Sequence, residues 1–191
     1  MQKFSPWYVV IAVVVAIVLW LGTSYNGLVT AKGAVDNQWS KVETQYQRRA
    51  DLVPNLVSTV KGAAKFEQDT FKEVTEARSA WAQAKTVGDR GQEIQAAGTF
   101  DTAMSRLLVT VEAYPQLKAT QAFQDLMAEL SGTENRITVA RNDFNDSVFA
   151  YNVKVQRFPG NFAAMIFGFK SEQLFKAAAG SDKAPKVDFI Q

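Results

Sequence analysis

No charged residue occurs between Phe4 and Ala31, and from Trp7 to Leu21 every side chain is apolar, in the order Trp-Tyr-Val-Val-Ile-Ala-Val-Val-Val-Ala-Ile-Val-Leu-Trp-Leu. A helix of that composition has no polar face to turn towards water, which argues against a core helix of a soluble domain. Read as helix, residues 7–25 extend roughly 28 Å at about 1.5 Å per residue, close to the hydrocarbon thickness of a bilayer. Pro6 fits the first helical turn, where its missing N–H costs nothing. Trp7 and Tyr8 at one end, and Trp20 and Tyr25 at the other, are the amphipathic rings that favour the headgroup level. The sequence therefore predicts a transmembrane anchor over residues 1–24, with the lipid bilayer as a partner through residues 7–25. A cleaved signal peptide is the alternative, since Lys3 precedes the apolar run and Gly22 and Ser24 are small. Trp20 and Leu21 crowd the place where a small-residue cleavage site belongs. Lys3 and the terminal amine before the span, against Lys32 and Asp36 after it, favour a cytoplasmic N-terminus.

Beyond the span the pattern changes to helical stripes. Val35, Trp39, Val42, Tyr46, Val53, Leu56, Val60 and Ala63 recur at spacings of four and three, with Arg49 taking one slot. That period places them on one face. Pro54 removes a backbone donor and crowds the preceding turn, so a kink near residues 51–54, or two helices meeting there, is expected. Helix resumes through Phe66, Phe71, Val74, Ala77 and Trp81. Gly88-Asp89-Arg90-Gly91 reads as the turn between antiparallel helices, with two glycines available for positive φ. A stripe of Ala97, Phe100 or Asp101, Met104, Leu107, Leu108 and Val111 follows over residues 92–113, and Tyr114-Pro115 ends or bends it.

The longest predicted helix covers residues 116–158, with Phe123, Leu126, Leu130, Thr133, Ile137, Ala140, Phe144, Ser147 or Val148, Tyr151, Val155 and Phe158 inward, and Phe158-Pro159-Gly160 stops it. Phe162, Ala163, Met165, Ile166, Phe167, Phe169, Leu174 and Phe175 form a short apolar helical segment. It reads as a cap on the end of the bundle, or as an amphipathic helix lying on a membrane surface. Only residues 186–190 alternate like a strand. The predicted fold class is all-α, a transmembrane helix followed by an up-and-down bundle of long antiparallel helices over residues 25–180, and then a tail over residues 181–191.

Composition limits the chemistry. Cys and His are both absent, so no disulfide, thiolate nucleophile, imidazole base or zinc site with N or S ligands is available. A net charge of +2, with the two signs interleaved, does not supply a stripe for phosphate backbones, and no nucleic-acid partner is expected. Glu112, Glu129, Glu134 and Asp143 lack the His that bundle-core metal sites use, so no metal or cofactor is expected. Asn145-Asp146-Ser147 matches a glycosylation sequon but lies on the inward stripe. Arg48, Arg49, Asp51 and Asn55 beside Pro54, with Glu134, Asn135, Arg136 and Arg141, form the candidate polar cluster. Arg49 sits on an apolar stripe and needs a carboxylate, for which Asp51, Glu134 and Asp143 are the candidates. Its structural role is a buried ion-pair network fixing helix register. Its functional alternative is a ligand or partner groove lined by Arg48, Arg49 and Arg136. Self-association through the heptad-like stripes into a homo-oligomer is a further possibility.

Residues 25–29 (Tyr-Asn-Gly-Leu-Val) and 35–43 (Val-Asp-Asn-Gln-Trp-Ser-Lys-Val-Glu), and above all residues 45–62 (Gln-Tyr-Gln-Arg-Arg-Ala-Asp-Leu-Val-Pro-Asn-Leu-Val-Ser-Thr-Val-Lys-Gly), resemble the LemA family of bacterial membrane-anchored helical proteins. Glu67 and residues 75–78 (Thr-Glu-Ala-Arg) continue it, as do residues 112–119 (Glu-Ala-Tyr-Pro-Gln-Leu-Lys-Ala) and residues 129–137 (Glu-Leu-Ser-Gly-Thr-Glu-Asn-Arg-Ile) with Ala140 and Arg141. Tyr151-Asn152, Phe158-Pro159, Gly168-Phe169 and residues 185–189 carry it to the end. The resemblance implies an anchor followed by a bundle of long helices, and a single-pass protein of the bacterial inner membrane. It brings no reaction with it. Some relatives are anchored through a lipidated Cys, which this chain lacks. The expected function is a non-enzymatic scaffold or adaptor for other envelope proteins. The rivals are a small-ligand receptor or enzyme using the cluster near Pro54, or lipid-surface binding through residues 162–175.

Overall fold

The structure is a computed structural model that describes residues 6–61 and 68–175. Every regular element among the described residues is helical. In chain order they are α1 (Pro6–Lys61), α2 (Gln68–Val87), α3 (Arg90–Glu112), α4 (Pro115–Lys118), α5 (Gln121–Gln156) and α6 (Gly160–Phe167). The all-α expectation holds. The part of α1 that the apolar run occupies is long and apolar enough to cross a membrane, and it is not covered by protein. Ala63, Phe66 and the alternating residues 186–190 lie outside the described residues.

The chain divides into two compact units. In one, α1 up to Glu43 packs with the part of α5 from Val139 onward and with α6. Leu28, Val35, Trp39 and Val42 are buried from α1, and Ala140, Phe144, Val148, Tyr151 and Val155 from α5. The rings of Trp39 and Phe144 meet at 5.1 Å. Helix α6 ends at Phe167, short of the segment expected from its apolar residues. Gly168 takes φ +75°, which an L side chain resists, and Phe169 N–H donates to the Ala164 carbonyl at 2.9 Å to close the last turn. The residues after it form no regular element, and α5 side chains take their backbone groups. Tyr151 Oη donates to the Lys170 carbonyl at 2.9 Å. Asn152 Nδ2 donates to the Glu172 carbonyl at 2.9 Å, and Asn152 Oδ1 accepts from Glu172 N–H at 2.8 Å. Lys32 on α1 pairs with the Glu172 carboxylate. Phe158, expected inward, is 74% exposed, because α5 stops at Gln156 before its stripe reaches that position.

The other unit holds α1 from Thr44, α2, α3, α4 and α5 as far as Thr138. Tyr46, Val53, Leu56 and Val60 of α1, Phe71, Val74 and Trp81 of α2, Phe100, Met104 and Leu107 of α3 and Leu130 and Ile137 of α5 are all buried. A fully buried side chain of this size is worth about 1.5–3 kcal/mol relative to exposure, so the stripes hold the helices together. The α2–α3 turn uses one glycine in the left-handed region rather than two. Gly88 has φ +74°, whereas Gly91 lies inside α3. Asp89 caps α3 by accepting from Gln92 N–H at 3.0 Å. The helix expected over residues 116–158 is two helices. Pro115 starts α4 at its first position, and Thr120 restarts the chain, with its carbonyl accepting from Phe123 and Gln124 N–H.

Pro54 neither divides α1 nor stands at its end. A proline there leaves the carbonyl four residues back without its helical donor. That carbonyl is Ala50 O, and Arg78 Nε from α2 donates to it at 2.8 Å. The side chain of a neighbouring helix thus replaces the missing amide.

Candidate functional site

The Arg49 side chain is 3% exposed and lies among buried apolar groups of α1. An unpaired guanidinium there would carry a desolvation cost of several kcal/mol. Two carboxylates from different helices meet it. Nη1 donates to Asp101 Oδ1 on α3 at 2.6 Å, and Nη2 pairs with Glu134 Oε2 on α5. Tyr46, one turn before Arg49 on α1, donates its hydroxyl to Asp101, 2.9 Å from Oδ2 and 3.2 Å from Oδ1. The Tyr46 ring also lies 5.9 Å from the Arg49 guanidinium carbon and 6.0 Å from the Trp81 ring. The site thus ties α1, α3 and α5 at one level, and α2 reaches it through Trp81. Beside it is a cavity of about 350 Å³, with Met104, Leu108, Met127 and Leu130 on its apolar side and Ser105, Ser131 and Asn135 among its polar groups.

Of the residues the sequence singles out, Arg49, Glu134 and Asn135 come together here. Asp101 is the partner that sequence reasoning missed. A partial signal was present, since the α3 stripe places either Phe100 or Asp101 inward; Phe100 is fully buried and Asp101 half-buried beside it. Asp51 is exposed and accepts from Gln47 Nε2 at 2.8 Å. Arg48, Asn55 and Arg136 are also exposed, and neither Arg48 nor Arg136 lines the cavity. Arg141 is half-buried and Asp143 exposed, and both belong to the other unit. Glu112 pairs with Lys118 at 2.9 Å, and among the described residues no group of three or more acidic side chains converges on a metal position. Trp7 and Tyr8 are exposed, Trp20 is half-buried, and Tyr25 is partly covered by Phe167 and Phe169, whose rings lie 4.8 and 5.9 Å away. Tyr151 has a proton affinity raised above its usual value of 10.0, chiefly through burial and then through the charges of Glu172 and Asp36.

Residues 38–189, which include every member of the Arg49 cluster, match the LemA family. The chain belongs to the LemA family. Its likeness extends to magnetosome protein MamQ 2 of Paramagnetospirillum magneticum, 28% identical over 88% of this chain and 71% of that protein. Magnetosome protein MamQ of Magnetospirillum gryphiswaldense is 29% identical over 88% of this chain and 70% of its own length. Protein LemA of Metamycoplasma hominis is 22% identical over 80% of this chain and 69% of that protein. Within this LemA-family chain the match begins at Gln38, so the helical bundle carries the family likeness and the apolar run lies ahead of it.

Proposed function

We propose that this chain is a single-pass membrane protein of the bacterial inner membrane, and that its helical bundle acts without catalysis as a scaffold or adaptor for other envelope proteins. The observation that carries the reading is the uncovered apolar start of α1, continuous with a helix whose later turns are packed. A water-exposed run of Val, Ile and Leu at that length is accounted for by lipid. The charge balance around the span supports a cytoplasmic N-terminus. Residues 1–24 are then the anchor and residues 25–180 the working part, with a homo-oligomer as one form the scaffold can take.

Alkaline carbonate extraction tests the anchor. The full chain is expected in the membrane pellet, and a Val14→Lys, Ile17→Lys variant in the supernatant. Release of the unaltered chain, or an N-terminal sequence beginning near residue 25, overturns it. Crosslinking in intact cells followed by mass spectrometry tests the scaffold, with reproducible envelope-protein partners expected and none overturning it. A compartment-specific reporter fused after Gln191 reads the orientation.

A second reading, a small-ligand receptor or enzyme, draws on the cavity beside Arg49. Glu134→Gln separates the two. Loss of cellular function with a melting temperature lowered by no more than about 4 °C favours a ligand site, and retained function favours a structural cluster.

A further inference from the structure

The bundle unit that contains the start of α1 has a second apolar surface. Helix α6 buries Ala163 and Ala164 and leaves the rest of its apolar residues outside, with Met165 78% exposed and Ile166 and Phe162 also open. Phe158, immediately before it, is open too, and its ring packs against that of Phe162 at 6.0 Å. A patch of this kind on one short element marks an interaction surface.

Its position identifies the occupant. Tyr25 closes the apolar run of α1, and its ring contacts Phe167 at the end of α6 and Phe169 just after it. If residues 7–25 fill the hydrocarbon core, as the reading of the anchor above requires, α6 is held against the helix where the hydrocarbon gives way to headgroups. The headgroup layer on each side is about 5–8 Å thick, so the next turn of α1 passes through it at about 1.5 Å per residue. On that turn a cavity of about 250 Å³ opens between Ser24, Gly27 and Leu28 of α1 and Lys154, Arg157, Phe158 and Gly160. Lys154 and Arg157 are exposed cations one turn apart, and no acidic side chain among the described residues pairs with either. Two exposed cations and a hydroxyl at headgroup depth, flanked by aromatic and aliphatic side chains facing out, match an anionic phosphate with acyl chains attached.

We propose that α6 and the Lys154–Arg157 pair form a second contact with the bilayer that α1 spans, with α6 lying in the interface and the two cations holding the phosphate of an anionic phospholipid. The partner is a lipid rather than free phosphate, because the apolar residues continue the lipid-facing surface of α1 and have no counterpart in a soluble ion.

Because the chain has no cysteine, single Cys substitutions give clean spin-label sites on the full-length protein. In vesicles of phosphatidylcholine with a third phosphatidylglycerol, labels at Met165→Cys, Val14→Cys and Asp146→Cys are compared by collision with oxygen and with a water-soluble nickel chelate. The Met165 label is expected to be shielded from nickel several-fold relative to the Asp146 label, and to resemble the Val14 label. A shielded Val14 label with a Met165 label as nickel-accessible as Asp146 overturns the inference while leaving the anchor in place. A nickel-accessible Val14 label overturns the anchor itself, and the inference with it. Association of spin-labelled phosphatidylglycerol relative to spin-labelled phosphatidylcholine tests the cations. Lys154→Gln or Arg157→Gln should each lower that preference by about fivefold. An unchanged preference in the double variant, or its abolition by inorganic phosphate at constant ionic strength, counts against a lipid headgroup at this site.

Discussion

Arg49 is held by two carboxylates of unequal exposure, and that inequality sets their roles. Asp101 is 24% exposed and also takes the Tyr46 hydroxyl, whereas Glu134 is 59% exposed. Solvent screening weakens the outer pair far more than the inner one. Asp101→Asn should therefore destabilise the chain by about 2 kcal/mol, below the 3–5 kcal/mol range for a fully buried pair, and Glu134→Gln by about 1 kcal/mol or less. Denaturant midpoints of the two variants check this, and equal losses would show that Glu134 bears as much as Asp101. An apolar stripe interrupted by one arginine was enough to predict a buried ion pair, because burying a cation requires a counter-charge. The identity of the inner partner was legible only as one of two adjacent α3 positions. Which helix supplies it depends on how α3 is rotated against α1, and sequence spacing left both Phe100 and Asp101 at the facing edge.

At the scale of an element, α1 runs through Pro54 where a break was one of the expected outcomes. The sequence shows the lost amide but not the remedy, because Arg78 arrives from another helix to bond the Ala50 carbonyl. Arg78→Met should cost about 1 kcal/mol by leaving that acceptor unpaired. Pro54→Ala restores the helical donor, so in that background the same Arg78→Met substitution should cost close to nothing. A double-mutant cycle reads the difference as coupling between residues that are far apart in sequence. Additive effects would mean that the guanidinium does not serve the proline. The α2–α3 turn was more legible, since its chemistry is local. Asp89→Ala should remove the cap of α3 and lower stability by about 1 kcal/mol, measurable as a drop in melting temperature. Gly91 in the same motif is free to take positive φ but does not use it. The cap at Asp89 instead starts the helix early enough to include it.

For the whole molecule, the order of long helices could be read from periodicity, because each stripe is a local record of the face it buries. The irregular segment after α6 could not. It exists through bonds from Tyr151 and Asn152 to backbone groups 19 and 20 residues away, and nothing in its own apolar pattern announces them. Those bonds make alkaline pH a probe of global stability. Folded Tyr151 holds its proton above 10.0, where an unfolded tyrosine releases it, because burial and the charges of Glu172 and Asp36 disfavour the phenolate. Between the unfolded and folded values the native chain binds more protons than the unfolded chain, so stability falls as pH rises through that window. Below 10.0 the Tyr151 contribution is fully present. Tyr151→Phe should lower stability at pH 8 by about 1 kcal/mol, through loss of the bond to Lys170, yet flatten the decline above pH 10. The denaturant midpoints of the unaltered and Phe chains should therefore converge as pH rises, since the other tyrosines are common to both. Parallel declines would show that the phenol titrates alike in both states, and that the return segment is held by Asn152 and Lys32 instead.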